Sequence, residues 1–247
     1  MGITFGSFFN VCIFRIPEKK SIANPPSHCY NCNTRLKPLD LIPILSWTLL
    51  RGKCRYCGQK IAPGYALVEL LTGILFVLVY SVYGYNAIIL YYLLLVSLLV
   101  IITFIDIDHY IIPDEVIIFG SVFAIIVNIL GQGIGIKDSI LGALICGGGM
   151  LALIYLIELI VKKEVMGGGD IKLFAMTGLF LGVKGGLLTI ILSVYVGAIY
   201  GIVTIVYSKI KKQEYNSMIP YGPFISVGAL IVVLCGTNII NWYMRLF

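Results

Sequence analysis

Two short stretches place carboxylates at the ends of long apolar runs. Phe104-Ile105-Asp106-Ile107-Asp108-His109-Tyr110-Ile111-Ile112-Pro113-Asp114 closes one run, and Gly167-Gly168-Gly169-Asp170 opens another. An ionisable residue in an apolar segment of membrane length is costly, and each one is a functional candidate. Two carboxylates that meet in a partly dry site cannot both ionise readily; one keeps its proton and the other acts as a base on water. That is the chemistry of an aspartic peptidase. The water attacks a peptide carbonyl, and the acid protonates the departing nitrogen. The glycines before Asp170 permit unusual backbone angles and close approach of a substrate strand. Pro113 breaks one helix and can start the next. Each residue also has a structural reading. Asp114 and Glu115, beside Pro113, suit a helix start. Asp108 reads as hydrated, and His109 as a solvated loop histidine. Gly-Gly-Gly-Asp alone is a weak signal, strengthened by its partnership with Asp106.

A second constellation is Cys29-Tyr-Asn-Cys32 with Cys54-Arg-Tyr-Cys57, residues 33–53 lying between the pairs. Two residues between thiolates let both sulfurs of a knuckle reach one metal, and two knuckles complete a tetrahedral sulfur shell that suits zinc. The spacing slightly exceeds the usual zinc-ribbon range. The rival reading is a pair of disulfides, which a reducing compartment disfavours. Four thiolates leave no open position, so the zinc is expected to be structural. His28 is an alternative ligand, although a solvated loop histidine is the commoner case. Cys12, Cys146 and Cys235 lie in apolar segments and read as core filler.

These groups need elements to hold them. Of the 247 residues, 59% are hydrophobic and 12% charged, against about 45–50% and about 25% in an ordinary soluble domain. The excess collects in runs: 70–105, 139–157, 185–208 and 215–244 contain no Asp, Glu, Lys or Arg. A helix needs about 20 apolar residues to cross the hydrocarbon core. The pattern predicts an all-α polytopic membrane protein of eight passes: 1–14, then 66–83, 87–105, 115–133, 139–161, 168–183, 186–208 and 221–243. Met1–Phe14 is short for a span, and it lacks the basic region and cleavage site of a removable signal.

Charge sets the orientation. The polar region 15–65 holds Arg15, Lys19, Lys20, Arg35, Lys37, Arg51, Lys53, Arg55 and Lys60. Placed in the cytoplasm, with alternating passes, it puts Lys162, Lys163, Lys209, Lys211 and Lys212 inside as well. Only Lys137, Lys184 and Arg245 fall outside, a bias that follows the positive-inside rule. The net charge of +6 thus needs no nucleic-acid partner. The third pass then ends, and the sixth begins, at the cytoplasmic face, which brings Asp106 and Asp170 to one depth.

The residues also carry a resemblance. Gly6-Ser7-Phe8-Phe9-Asn10-Val11 with Arg15-Ile16-Pro17, the two CxxC pairs, and Ile42-Pro43-Ile44-Leu45-Ser46-Trp47 resemble the bifunctional bacterial prepilin peptidases. Arg51-Gly52-Lys53-Cys54, Tyr65-Ala66-Leu67-Val68-Glu69-Leu70, Asp106 through Asp114, Gly167–Asp170 and Pro220-Tyr221-Gly222-Pro223-Phe224 continue the likeness over essentially the whole chain. The resemblance implies that Asp106 and Asp170 are catalytic. Asp114 falls where the wider family also takes Asn. Family members remove the basic leader of type IV prepilins and pseudopilins after a glycine, on the cytoplasmic side of the inner membrane. They then methylate the new N-terminus with S-adenosylmethionine. Methyl transfer rests on the resemblance alone, because no soluble dinucleotide-type fold with a Gly-rich loop is present. The cysteine loop is its natural place, with Gly52, Lys53 and Glu69 as candidates. Against these stand a solvated lysine and a helix-start carboxylate.

The resulting expectation is a first transmembrane helix (1–14), a cytoplasmic zinc-binding, methyltransferase-associated loop (15–65) and a seven-helix aspartyl peptidase domain (66–247). Basic leaders suggest acidic contacts, with Asp108, Glu115 and Glu164 as candidates. The rival readings are a leader peptidase without methyl transfer, a cation or proton transporter using Asp106, Asp114 and Asp170, and a zinc-ribbon protein that only binds a partner. A transporter would spread its carboxylates through the bilayer.

Overall fold

The computed structural model describes residues 1–163, 165–211 and 219–245. Glu164, Lys212 and Glu214 lie outside them. The regular elements among the described residues are helices, with two isolated β-bridges and no strand. Nine α-helices are present among them: α1 Gly2–Arg15, α2 Leu45–Leu49, α3 Gly64–Tyr83, α4 Ile88–His109, α5 Asp114–Ile129, α6 Ile136–Ala143, α7 Gly149–Val161, α8 Gly168–Lys211 and α9 Gly222–Met244. A π-turn, Leu144–Gly148, joins α6 to α7. Among the described residues, five helical stretches are long and apolar enough to cross a membrane: α3, α4, Ile136–Val161, α8 and α9. With 14 and 16 residues, α1 and α5 are shorter than the roughly 20 a straight crossing needs. α5 stops at Ile129, short of the expected 133, because Gly131 turns the chain at a φ of 72°.

Two expected passes, 168–183 and 186–208, appear as the single stretch α8, but one residue breaks it. Gly182 has φ 69° and ψ −171°, outside helical space. Beyond it the chain doubles back: a Cβ built on Gly186 would lie 3.4 Å from the Gly178 Cα. A continuous helix would separate residues eight apart by about 12 Å. α8 is therefore two limbs meeting at Gly182, where the Val183 N–H lies 3.4 Å from Asp138 Oδ1.

The chain divides into two compact units, Met1–Ser81 and Val82–Phe247. In the first, α1 and α3 carry the cysteine loop between them. In the second, α4 is the most buried spanning helix, and a polar layer ties its start to three neighbours. Asn128 Nδ2 donates to the Tyr91 hydroxyl at 2.8 Å and lies 3.2 Å from Ser139 Oγ. Tyr91 and Ser139 both donate to the Leu179 carbonyl, at 3.0 and 2.7 Å. Asn128 is only 2% exposed, and an unmet amide there would cost about 1–3 kcal/mol. The network thus joins α4, α5, α6 and the first limb of α8. At the other end of α4 and of that limb lie Asp106 and Asp170.

Candidate functional site

The two aspartates share one cleft, of about 510 Å³, in the second unit. Asp106 sits in the last turn of α4 and is 5% exposed. Asp170 sits half-buried in the first turn of α8. Both residues line its wall. α4 ends where Tyr110 adopts the left-handed conformation, φ 57°, and its N–H caps the Asp106 carbonyl at 2.9 Å. Pro113, with φ −66°, then opens α5, as its fixed ring angle allows. Of the glycines before Asp170, Gly169 serves packing: a Cβ on it would lie 3.0 Å from Ile112 Cβ. It lets the start of α8 lie against the turn that follows Asp106.

A third element completes the site. The N–H of Gly222, at the start of α9, donates to Asp106 Oδ2 at 2.8 Å. A helix N-terminus favours a negative group, and a Cβ at Gly222 would come within 2.7 Å of the same oxygen. In the sequence Gly222 is only part of a stretch that carries the resemblance, with no role of its own. Its signal was the Gly-Pro pair at a helix start, which speaks of a turn but not of a carboxylate. Tyr221 lines the cleft beside it and lies 3.5 Å from Ser193 Oγ.

Asp114 does not cap α5. The N-cap is Pro113, and no side chain closes the cap. Asp114 instead accepts two hydrogen bonds from Lys172 Nζ, at 2.7 and 2.9 Å. Both side chains are more than half exposed, so the pair stabilises by about 0–1 kcal/mol. It still holds the start of α5 to the start of α8, two residues from Asp170. Asp108 and His109 are exposed at the end of α4, and Glu115 is exposed on the cleft wall.

In the first unit the four cysteines converge. The sulfurs of Cys29, Cys32, Cys54 and Cys57 all lie within 4.8 Å of one another, with Cys29 and Cys57 at 3.8 Å. Zinc–sulfur bonds of about 2.3 Å in a tetrahedron put sulfurs about 3.8 Å apart, so the cluster has the size for one zinc, and all four thiols are free. The knuckles are built alike. The Cys29 N–H bonds to Thr34 and the Cys54 N–H to Gln59, at 3.1 and 2.8 Å. After the second cysteine of each comes a left-handed residue, Asn33 at φ 53° and Gly58 at φ 71°. Asn and Gly are the residue types that tolerate this conformation best. Bonds from the Thr34 hydroxyl and backbone pull the Cys32 thiol down to about 6, and N–H groups of Cys57 and Tyr56 lower Cys54. Both shifts favour the thiolate that a metal needs. His28 Nδ1 pairs with the Pro26 carbonyl instead of joining the cluster.

A clamp beside the cluster fixes the loop. Asp40 accepts from Arg55 Nε at 2.6 Å, Tyr56 Oη at 2.9 Å and the Lys37 N–H at 3.1 Å. Desolvation pushes the Asp40 carboxyl up, but these donors outweigh it and hold it below its ordinary value.

The methyl-transfer candidates separate. Glu69 is buried at 8% exposure, and its Oε2 accepts the Ile44 N–H at 2.7 Å. Ile44 has a φ of 60°, costly for a β-branched residue, so Glu69 steadies the strained entry to α2. Gly52, at φ 65°, packs under Trp47: a Cβ there would be 3.0 Å from the ring. Lys53 is exposed, paired by a β-bridge to Lys60. A cavity of about 600 Å³ in this unit is lined by Glu69 but by neither Gly52 nor Lys53.

Comparison with known proteins matches residues 1–83 to the bacterial peptidase A24 N-terminal domain and residues 93–202 to the type IV leader peptidase family. The chain is 34% identical to a prepilin leader peptidase/N-methyltransferase of Aeromonas hydrophila, over 100% of this chain and 92% of that protein. It is 33% identical to the protein of the same description from Bacillus subtilis (strain 168), over 99% and 96%. Identity is also 33% to the one from Aeromonas salmonicida, over 98% and 91%. No solved structure matches the chain significantly.

Proposed function

The chain belongs to the type IV leader peptidase family, and from that premise we propose that it removes the leader of type IV prepilins or pseudopilins by a two-aspartate mechanism and methylates the new N-terminus. The observation that carries the cleavage reading is the meeting of Asp106 and Asp170 in one cleft of a membrane-type helical unit. Asp106, held by the Gly222 N–H, accepts a proton from the attacking water. The oxygen bonds to the scissile carbonyl carbon. Asp170 delivers its proton to the departing amide nitrogen as the carbon–nitrogen bond breaks. Both carboxylates lie in one cleft, which favours a peptidase over a transporter that spreads its acids through the bilayer.

In this reading the chain crosses the inner membrane eight times: α1, α3, α4, α5, Ile136–Val161, the two limbs of α8, and α9. The cysteine loop 15–65 and the aspartate cleft face the cytoplasm, as the basic loops favour. The Cys29, Cys32, Cys54 and Cys57 thiolates hold one structural zinc. The loop serves methyl transfer, and residues 66–247 serve cleavage. S-adenosylmethionine is the methyl donor. Glu115 and Asp108, exposed on or beside the cleft, receive the basic leader.

The test is incubation of the purified protein in detergent with a prepilin and labelled S-adenosylmethionine. A shortened product whose N-terminus carries the label is expected. An uncleaved prepilin with a demonstrably folded enzyme would remove the proposal.

A further inference from the structure

The short helix α2 turns its two sides to different surroundings. Ser46 and Trp47 line the cavity of the first unit, and Trp47 Nε1 donates to the Ile61 carbonyl at 3.3 Å. Leu45 and Leu49, four residues apart and so on one side of the helix, are 51% and 74% exposed. Leu39, in the 3-10 turn Pro38–Leu41 that precedes α2, and Ile42, which closes that turn, are exposed as well. Exposed apolar groups gathered in one segment and rimmed by polar ones mark contact with a partner or a membrane.

Two observations say which. The first is depth. α3 has 20 residues, the length that just crosses the hydrocarbon core, so its first turn stands at the membrane boundary. The entry to α2 is tied beyond that turn: the Ile44 N–H donates to Glu69 Oε2, five residues, about 7.5 Å, into α3. The second is charge. Lys37, Arg51 and Lys53 bracket the segment and are exposed, while Asp40 within it is paired with Arg55. Cations beside an aliphatic face suit an anionic lipid surface, and they repel a basic leader.

We propose that residues 37–53 form an interfacial anchor. Leu39, Ile42, Leu45 and Leu49 enter the boundary between headgroups and acyl chains of an anionic bilayer, and Lys37, Arg51 and Lys53 meet lipid phosphates. Interfacial segments sink about 5–10 Å into that boundary, which matches the depth of Glu69. The anchor holds the outer wall of the cavity against the membrane surface. It rests on α3 crossing the membrane and not on the reaction catalysed.

The experiment reconstitutes the full chain in vesicles of phosphatidylcholine and phosphatidylglycerol, the latter including molecules with a photoreactive group at the top of one acyl chain. Irradiation is expected to label the peptide that carries residues 38–51 as well as α3. Label on α3 with none on 38–51 overturns the anchor. Absence of label from α3 removes the premise that it spans, and the anchor with it. Leu45→Ser with Leu49→Ser is expected to lower label on 38–51 at least fivefold, with α3 labelled as before; undiminished label overturns the assignment of these side chains. Should that variant fail to insert, the labelling of the unaltered chain decides. Moving the photoreactive group to phosphatidylcholine is expected to lower label on 38–51 at least twofold, and equal label overturns the preference for anionic lipid. Cross-linking of 38–51 to a second copy or to added prepilin, in place of lipid, assigns the face to that protein and overturns the anchor.

Discussion

The Gly222 N–H reaches Asp106 Oδ2 at 2.8 Å, joining residues 116 apart in sequence. This contact places a helix start against one carboxylate of the cleft. It also leaves no room for a side chain, because a Cβ at Gly222 would lie 2.7 Å from the same oxygen.

Gly222→Ala should therefore displace Asp106 without removing any titrating group. A shift of about 1 Å at a reacting group can cost about 10²-fold in rate. Leader removal should fall by about that factor, while methylation of a precleaved pilin stays near normal. A time course of prepilin shortening by the stable, inserted variant checks it; unimpaired cleavage would show that Asp106 tolerates the crowding.

Asp106→Asn and Asp170→Asn should each abolish leader removal. Each keeps the shape of its side chain and removes the carboxylate that handles a proton. Because the two act as a unit, the double variant should be hardly slower than either single one. Asp108→Asn and Asp114→Asn should retain much of the activity, the first being exposed and the second losing only a solvent-screened pair with Lys172. Near-normal cleavage by either Asp106→Asn or Asp170→Asn would end the aspartyl reading.

Purified protein should hold about one zinc per chain. Cys29→Ser should release it and lower methylation more than cleavage, since the aspartates lie in the other unit. Acidification should release the metal as thiolates take up protons, the expected direction for such sites. Elemental analysis with acid titration reads both, and a metal-free protein with oxidised thiols in the cell would count against the site.

Single cysteines placed at Lys20, Tyr110 and Lys162 should resist an impermeant thiol reagent added to intact cells, while one at Lys137 should react. The basis is the charge bias of the loops. The same method tests Gly182: a cysteine at Lys184 should label from outside, since the chain reverses there. Strong external labelling at Lys20 would invert the assignment.

Much of this was open to reading in the sequence because its causes are local. Uncharged runs of membrane length force helices, since lipid offers the backbone no other partners. A doubled CxxC brings four sulfurs to one point because two intervening residues set each knuckle, and Asn33 and Gly58 are local signs of the turn that follows. Pro113 marked the break between α4 and α5. Asp106 and Asp170 stood out because a carboxylate at the end of an apolar run is costly wherever the chain goes. The rest depended on which segments meet. No pattern along the chain says that Gly222 approaches Asp106, that Asp114 pairs with Lys172 rather than capping its helix, or that Asn10 donates to the Tyr65 carbonyl. Those relations join residues far apart in sequence, and only packing sets the distances between them. Residue types decide what chemistry a side chain can do, but tertiary structure decides which groups are close enough, and dry enough, to do it together.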